Sequence, residues 1–507
     1  MGLRYYATGA WPHFGADVVW TKSEIPGALQ ALLVGVPFNV LPVPEAPYLL
    51  LNMLSMLALA GFAWYITARL PEMPQWLVWG WLMTVPWTIE FSTHIINPSY
   101  LLAAALVFFI GFFEAVPVFR LGKIPVAATF ALMGAAIAWI AQIHMSWPLL
   151  IPYVGVAAVS QWRSGLRPMA GNLLGLAAGL LTIGVFLLPT LVVYGLRAGS
   201  GGTFKSVVVH PVNPWIVVTT LARLFSFASL EIWRFIATDD GKRLMLLWRH
   251  LWIVPMAGVL WLAGIWQPIW MLREWFRTQS PFSEWRPLKW LVAGTVILIY
   301  ASYWFVLEPS QSHAFYVVAP IAFMFAAYCW TFVDSQRWRQ VAGGLLAVNI
   351  VFHIGQAWIQ APEHSLYRHR EVVATAVRLK QPEMFAHRRS FAVEGGAAAL
   401  DDPSRPYDLQ RDLRFADVRL AAGPARIALW RMTLHSSNTR IAYRDVLYRT
   451  NYLDKDGQLV AQRADYIKDI FQPGTDVDLE VIDGFLPTQY ASATIELLAA
   501  DALVPVK

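Results

Sequence analysis

Many polar and titratable side chains in this sequence lie at the ends of apolar runs, on the same predicted side of a membrane. There they could perform acid–base chemistry. Such groups are costly at membrane depth and are therefore functional candidates by default. At the ends of the runs lie Glu90, His94, Asn97, Gln142, His144, Glu308, Gln311, His313 and Tyr316. Two connecting loops add Asp17, Lys22, Glu24, Lys205, His210, Glu231, Arg234, Asp239 and Asp240. Their convergence on one face would indicate a cavity there.

Some of these residues also have a purely structural interpretation. His144 could equally well hydrogen-bond to a neighbouring helix, and His353, alone in the last apolar run, is better explained as a packing histidine. The Asp239-Asp240-Gly241 sequence is compatible with a metal-binding pair, but a turn in water explains it as well. No metal site is therefore predicted.

Motifs of soluble enzymes are absent. The sequence contains no Walker-type phosphate loop, GxSxG, HExxH or CxxC. A nucleotide-dependent mechanism in the cytoplasm therefore has no support. A substrate used at the outer face must reach that face through the bilayer, and a lipid-linked substrate does so naturally.

The composition predicts a membrane protein. Of the 507 residues, 57% are hydrophobic and 14% are charged, with 25 Trp, whereas soluble domains have about 25% charged residues. The net charge of +6 comes from small clusters between apolar runs, so no nucleic-acid partner is expected. Cys329 is the single cysteine, which excludes an intrachain disulfide. No signal peptide is recognisable at the N-terminus.

About ten apolar windows are long enough to cross the roughly 30 Å hydrocarbon core. They are residues 48–68, 75–92, 99–118, 124–143, 147–161, 169–194, 250–272, 289–307, 313–333 and 340–360. Basic residues occupy alternate connections: Arg69; Arg120 and Lys123; Arg163 and Arg167; Arg273, Arg277, Arg286 and Lys289; Arg337 and Arg339. The positive-inside rule makes this side cytoplasmic. The N-terminal stretch, the 195–249 loop and the C-terminal domain then lie outside.

Three domains follow from this pattern. Residues 1–46 form an outer loop in which 26–43 are expected as an interfacial helix. Residues 47–361 form the multi-pass domain, with an amphipathic helical region at 203–245 on its outer surface. Residues 362–507 form a soluble, mainly β domain, with strands predicted at 426–434, 440–452, 457–463, 476–483 and 490–498. The turn pairs Asp456-Gly457 and Pro473-Gly474 favour a small antiparallel β-sandwich, for which an immunoglobulin-like topology is one alternative.

Three segments of the chain resemble GT-C membrane glycosyltransferases. They are GAWPHFGADVVWTKSEIPGALQALLVGVPF (9–38), HIINPSYLLAAALVFF (94–109) and QIHMSW (142–147). The first is similar to the first outer loop of the bacterial branch related to protein O-mannosyltransferases and the lipid A aminoarabinose transferase (glycosyltransferase family 39-like). The resemblance extends over residues 1–360. It implies a polyprenyl-phosphate sugar donor, a lipid, glycan or protein acceptor, and a bacterial inner membrane.

The resemblance also implies residue roles. The family begins with a transmembrane helix and a carboxylate that serves as base; neither precedes Tyr5-Tyr6 here, and we expect a further N-terminal segment. Within the present sequence Asp17 or Glu24 would be the catalytic base, unless the protein is inactive. Substrate would be bound by His94, His144, Lys205, Arg234, His313 and Tyr316. The cationic side chains among them would stabilise the charge that develops on the leaving phosphate. No cofactor beyond the lipid-linked sugar is required.

Two other functions compete with sugar transfer. A transporter or flippase of lipid-linked glycans should show an internal repeat and charged or broken helices near mid-membrane, and the sequence shows no repeat. A non-catalytic scaffold, whose β domain binds a partner, is favoured if the outer polar residues are scattered instead of convergent.

Overall fold

The structure is a computed structural model that describes residues 2–18, 23–96, 98–162, 166–195, 209, 211–236, 240–305, 316–360, 374, 377–378, 380, 387–391, 408–423 and 426–503. The chain divides into two compact units. The helical unit comprises Met1–Leu41, Glu45–Ile232 and Met256–Phe352, and the β unit comprises Pro42–Pro44, Trp233–Pro255 and His353–Lys507.

The helices are given first, in chain order. They are α1 (Gly2–Thr8), α2 (Leu29–Gly35), α3 (Pro37–Val40), α4 (Ala46–Arg69), α5 (Gln75–Thr84), α6 (Pro86–Thr93), α7 (Leu101–Ala115), α8 (Val126–Ala141), α9 (Ile151–Gln161), α10 (Leu166–Gly184), α11 (Leu188–Tyr194), α12 (Ile216–Ser226), α13 (Ile232–Ile236), α14 (Asp240–Arg249), α15 (Val254–Trp275), α16 (Trp285–Tyr303), α17 (Ala319–Thr331), α18 (Gln336–Gln360) and α19 (Leu409–Asp412).

The helical unit confirms the predicted class, because each of the predicted apolar windows contains helix. Four stretches of the described chain are long and apolar enough to cross a membrane: Ala46–Arg69, Pro168–Tyr194, Leu251–Trp275 and Gln336–Ile359. Shorter apolar helices, such as Leu101–Ala115 and Val126–Ala141, accompany them. The chain is an integral membrane protein.

One predicted window, 75–92, is not a single helix. It is divided into α5 and α6 at Val85, which has the extended conformation (ψ 144°) and precedes Pro86. A residue before proline is driven out of the helical region by the proline ring, whereas proline itself fits the first turn of a helix.

Helices α8 and α10 pack with their backbones in direct contact. A Cβ atom on Gly179 would lie 1.9 Å from the Ala131 carbonyl oxygen, and one on Gly134 would lie 2.2 Å from the Leu176 carbonyl oxygen. Gly175 is equally tight against Ala127. Small residues allow such close approach between apolar helices, where packing and not water exclusion drives association. The α8–α10 pair is therefore a rigid support for the residues at its ends.

A network of buried charges joins several predicted basic connections. Arg69, at the end of α4, lies 3.5 Å from Glu284, just before α16, and donates to the Phe119 carbonyl oxygen. Tyr328, near the end of α17, donates to Glu284 at 2.6 Å. These contacts place the ends of α4 and α17 and the start of α16 at the same end of the helical unit, termed the basic end.

Glu114 belongs to the same end. It is fully buried, and its carboxylate accepts hydrogen bonds from the N–H groups of Leu121 (2.8 Å) and Lys123 (2.9 Å) and from the Tyr65 hydroxyl (3.0 Å). Tyr65 in turn accepts a hydrogen bond from Arg69. The turn between α7 and α8 is therefore held by one carboxylate.

The β unit contains two antiparallel sheets. Their strands are β3 (His387–Phe391), β4 (Leu413–Ala422), β5 (Ile427–Ser436), β6 (Ala442–Leu453), β7 (Leu459–Phe471), β8 (Asp476–Phe485) and β9 (Ser492–Leu503), with sheet orders β3-β9-β6-β7 and β4-β5-β8. This confirms the C-terminal β domain. An immunoglobulin domain groups its first, second, fourth and fifth strands, whereas here the first, fourth, fifth and seventh described strands share a sheet. The immunoglobulin-like alternative is therefore wrong.

Two carboxylates are enclosed in the β unit. Asp412 accepts from the Tyr443 hydroxyl at 2.6 Å and from the Asn438 amide at 2.7 Å. Asp483 accepts from the hydroxyls of Tyr452 (2.5 Å) and Thr450 (2.6 Å). Both acids are almost fully buried, and hydrogen bonding compensates their desolvation.

Two described helices of the amphipathic region predicted at 203–245 each bury one face on protein within their own unit. Helix α14 buries Met245 against Ile427 and Leu429 of β5, and its last residue, Arg249, pairs with Glu480 of β8. Helix α12 buries Leu224 and Phe225 inside the helical unit. An amphipathic pattern shows that one face is buried but not what covers it.

Candidate active site

The first outer loop contains a two-stranded antiparallel hairpin. Strand β1 (Phe14–Val18) pairs with β2 (Ser23–Pro26), and the register sets Asp17 directly opposite Glu24. Opposite residues in an antiparallel pair have Cα atoms about 4.5–5.5 Å apart. For Asp17 and Glu24 the structure describes the backbone and not the side chains. The fold thus brings together the two residues predicted as alternatives for the base.

The hairpin is closed at the His13 carbonyl oxygen. This oxygen accepts hydrogen bonds from the Gly27 N–H at 2.9 Å and from the Thr190 hydroxyl at 2.6 Å. Thr190 belongs to α11 and is fully buried. The rings of His13 and Phe14 contact Tyr194, with centroids 5.3 and 5.0 Å away. The base of the hairpin is therefore fixed to α11.

Gln142, one residue beyond α8, lies beside β1 at Gly15 and against Gly27, the residue that follows β2. A Cβ atom on Gly27 would lie 2.6 Å from Cγ and 2.7 Å from Oε1 of Gln142. One on Gly15 would lie 3.4 Å from the Gln142 carbonyl oxygen. Gly27 has φ +123°, a conformation that side-chain-bearing residues rarely adopt. A glycine is needed where β2 leaves the hairpin.

Helix α2 continues from the hairpin into an apolar cluster. Leu29 of α2 packs with Leu51, Tyr100 and Ile143, all of them buried. The predicted interfacial helix at 26–43 is thus represented by α2, which is mostly buried, and by α3, whose last residue, Val40, is 85% exposed. The cluster below the hairpin joins the first outer loop to α4 and α8.

Buried polar atoms without hydrogen-bond partners surround the hairpin. Among the residues that the structure describes, Oε1 of Gln142, Oε1 of Gln30 and Nδ1 of His13 have none. Gln30 Oε1 lies 3.8 Å from the Cβ position of Gly15. Unpaired buried polar atoms are rare in folded proteins, and each requires an explanation. Unpaired buried atoms also occur elsewhere in the described helical unit, for example Tyr100 Oη and Thr88 Oγ1, but those of Gln142 and Gln30 lie beside the hairpin that pairs Asp17 with Glu24.

His144 follows Gln142 by two residues and is half-buried. Its Nδ1 lies 2.8 Å from the Ser146 hydroxyl, which is a local polar partner. His94 is exposed, with Nδ1 3.2 Å from the Glu90 carbonyl oxygen. Neither contact decides between a functional and a structural histidine.

Tyr316 is placed in the core instead of at a surface. It is fully buried, its hydroxyl donates to the Trp87 carbonyl oxygen at 3.2 Å, and its ring packs on Trp87 and Phe91. This placement gives it a packing role, and we leave it out of the candidate site.

The structure describes no side chain for the remaining predicted substrate-binding residues. Lys205 and His313 lie outside the described residues. Arg234 lies in α13, in the β unit, and its side chain is not described. Within the described ranges no group of three or more His, Cys, Asp and Glu residues is arranged to hold a metal ion.

The hairpin and the basic end lie at opposite ends of α8. Helix α8 begins three residues after Lys123, which is held by Glu114, and ends one residue before Gln142. Its 16 residues span about 24 Å at about 1.5 Å per residue. The separation agrees with the sorting of polar and basic residues predicted from the sequence.

Sequence reasoning missed Thr190 and Gln30, and it did not recognise the hairpin. Thr190 sits in an apolar run with no charge nearby, and Gln30 follows Gly27 within a segment predicted as interfacial. The Pro26-Gly27 and Gln142 signals were visible, but their contact joins positions far apart in the chain.

Comparison with known proteins gives a distant structural likeness. No family model matches the sequence, and no curated protein matches it. The fold is similar to that of ArnT from Cupriavidus metallidurans, solved bound to undecaprenyl phosphate, with a TM-score of 0.43 and 14% sequence identity. The alignment covers 75% of this chain and 66% of that one. The chain therefore spans just under two thirds of the length of that protein.

Proposed function

We propose that this protein transfers a sugar from a polyprenyl-phosphate donor to an acceptor at the outer face of the membrane. The observation that carries the proposal is the hairpin, which sets Asp17 opposite Glu24 at the far end of α8 from the basic network. It also unites two of the segments that resemble GT-C glycosyltransferases, since Gly27 packs directly on Gln142.

The chemistry follows from the residue types. One hairpin carboxylate accepts the proton of an acceptor hydroxyl or amine within hydrogen-bond reach, and the resulting nucleophile attacks the anomeric carbon of the sugar. The bond between that carbon and the phosphate oxygen breaks, and polyprenyl phosphate leaves with the electron pair. Because the proton moves to a carboxylate and the charge to a phosphate, the scheme needs no cofactor.

The leaving phosphate requires hydrogen-bond donors or cations. His144, two residues after the anchor Gln142, is our first candidate for this role, with Lys205, Arg234, His94 and His313 as further candidates. The prenyl chain would remain in the bilayer beside the apolar helices, so the donor approaches the hairpin from the membrane. This arrangement suits a substrate that is part lipid and part sugar.

Orientation follows from charge. The positive-inside rule assigns the basic end to the cytoplasm, so the hairpin faces the periplasm of a bacterial inner membrane. The β unit would then be extracytoplasmic and would bind the acceptor, whether lipid, glycan or protein.

The test uses the full-length protein in lipid nanodiscs with a panel of radiolabelled undecaprenyl-phosphate hexoses and pentoses. Release of undecaprenyl phosphate is measured for the wild type, Asp17→Asn, Glu24→Gln and the double variant. We expect the double variant to lose about 10²- to 10⁴-fold in rate, the usual contribution of a general base.

Asp334→Asn is the matched control, because Asp334 pairs with Arg339 at the start of α18, away from the hairpin. Its turnover should equal that of the wild type. A double variant as active as the wild type, or a wild type that releases no undecaprenyl phosphate from any donor, would refute the proposal.

A further inference from the structure

We infer that Gln142 is the positioning residue of the Asp17–Glu24 hairpin, fixing its place against α8 and α10. The inference deepens the proposed function and rests on it for the catalytic consequence, but the structural part stands on contacts alone. Gln142 is 1% exposed.

The nitrogen end of Gln142 ties two helices together. Nε2 donates to the Ala138 carbonyl oxygen of α8 at 3.0 Å and to the Ile183 carbonyl oxygen of α10 at 3.1 Å. Two carbonyl oxygens can face only a donor, so these bonds determine which end of the amide is nitrogen. The side chain therefore has one orientation.

The oxygen end faces the hairpin. With Nε2 fixed, Oε1 and Cγ are directed at Gly27, where there is no room even for a methyl group. The backbone carbonyl of the same residue lies beside Gly15 on β1. One residue therefore limits the movement of both strands, and the register in turn fixes where the backbones of Asp17 and Glu24 lie.

The unpaired Oε1 shows that packing alone does not explain this glutamine. A buried acceptor without a donor is unfavourable, and methionine would fill nearly the same volume without that cost. What glutamine adds are the two donated hydrogen bonds, which hold the side chain in one rotamer. A fixed rotamer is what positioning requires, because a displacement of about 1 Å can reduce a rate about 100-fold.

The experiment compares Gln142→Met with Gln161→Met in the full-length protein in nanodiscs. Gln161 is the matched control, since it is also buried (6% exposed) and its Nε2 donates to the Ala115 carbonyl oxygen, at the basic end. Two quantities are measured: hydrogen–deuterium exchange of peptides covering 9–27, and kcat and KM for release of undecaprenyl phosphate.

We expect Gln142→Met to raise exchange in 9–27 and to lower kcat about 100-fold, with KM changed less than about threefold, because positioning acts on the reacting groups and not on overall binding. Gln161→Met should leave both the exchange of 9–27 and kcat unchanged. Thr190→Val provides a second route should Gln142→Met not fold, since it removes the other tie to the hairpin without changing its volume.

Unchanged exchange in 9–27 for Gln142→Met, or equal exchange increases for both glutamine variants, would overturn the inference whatever the activity. Increased exchange confined to Gln142→Met, in a protein whose wild type transfers no sugar, would instead refute the proposed function and retain the positioning of the hairpin.

Discussion

The two ends of α8 use buried polar groups in opposite ways. At the basic end the carboxylates of Glu114 and Glu284 are engaged, Glu114 with three backbone N–H groups and a tyrosine, and Glu284 with Arg69 and Tyr328. At the hairpin end buried atoms of Gln142, Gln30 and His13 lack partners among the described residues, whereas at the basic end Arg69 leaves only its Nε unpaired and engages its other two nitrogens.

The difference separates a structural role from a functional one. Buried charges that satisfy one another hold connections in place, and removing one partner costs stability. Buried polar atoms that remain unsatisfied add nothing to stability, and each requires an explanation, of which a role toward a ligand is one. Variants at the basic end should therefore alter stability, whereas variants at the hairpin should alter turnover.

The largest expected effect on stability is that of Glu114→Gln. The substitution replaces an acceptor of backbone N–H groups by an amide whose NH2 group faces one of them, and it weakens the hydrogen bond from the Tyr65 hydroxyl. We expect a loss of about 3 kcal/mol, because several hydrogen bonds of about 1 kcal/mol each are weakened together, measured as a lower midpoint of thermal unfolding in detergent. Turnover per folded molecule below that midpoint should stay at the wild-type value; a selective loss of turnover would break the contrast between the two ends.

Gly27→Ala should give the opposite result. The φ of +123° and the 2.6 Å approach to Gln142 Cγ leave no room for a methyl group, so the hairpin must shift. We expect about 100-fold slower release of undecaprenyl phosphate with a small change in the unfolding midpoint. Gly9→Ala is the control, because Gly9 also has positive φ (+68°) but open space around it. Equal effects of the two substitutions would show that backbone strain, not contact with Gln142, matters.

Asp412 is a buried carboxylate with a structural role in the β unit. Burial raises the pKa of Asp412, but hydrogen bonds from Arg411, Tyr443, Asn438 and the Asp408 N–H lower it more, so that its pKa lies below the ordinary value. A depressed pKa in the folded state contributes stability that is present above the unfolded value of about 3.9 and is lost as the pH falls through the folded pKa.

We therefore expect Asp412→Asn to cost about 2 kcal/mol at neutral pH, the scale of hydrogen bonds to a charged group, and to flatten the acid side of the stability profile. Pulse proteolysis of the β unit in the full chain between pH 2 and 7 measures both. Asp456→Asn, in the exposed 454–458 turn, should leave the profile unchanged. If the stability of Asp412→Asn falls with acid pH in the same way as that of the wild type, the assignment of this stability to the depressed pKa of Asp412 is contradicted.

The smallest effect is expected for Thr190→Val, which removes one of the two hydrogen bonds at the His13 carbonyl oxygen. A single neutral hydrogen bond contributes about 1 kcal/mol, equivalent to about a fivefold decrease in turnover if it acts only through hairpin position. Steady-state release of undecaprenyl phosphate measures it. A decrease as large as that of Gly27→Ala would indicate that α11, rather than Gln142, is the main support.

The sequence predicted the elements better than their contacts. Long apolar windows locate helices because a bilayer imposes length and hydrophobicity on each span. The Asp456-Gly457 turn was also predicted correctly, and Gly457 has the positive φ (+76°) that such turns require. Both signals are local, so they can be recognised in a single sequence.

Contacts between distant segments were not predictable in the same way. Nothing local distinguishes Tyr316, which is buried in the core, from a tyrosine at a membrane surface, and nothing in the amphipathic pattern of α14 specifies that it packs on β5. The break at Val85–Pro86 carried a local signal, the proline, which the length of the apolar window obscured. The pairing of Asp17 with Glu24 depends on a short hairpin with little periodicity, and its position depends on Gln142 and Thr190, more than 100 residues away.

The most direct test of the account is a cryo-EM structure of the full-length protein in nanodiscs containing undecaprenyl phosphate. We predict that the lipid phosphate lies at the outer end of α8, within hydrogen-bond distance of His144 or a residue of the 9–27 segment, with the prenyl chain along the apolar helices. A phosphate bound beside Arg69 and Glu284 at the basic end, with none near the hairpin, would contradict the central claim that the hairpin end is the active site.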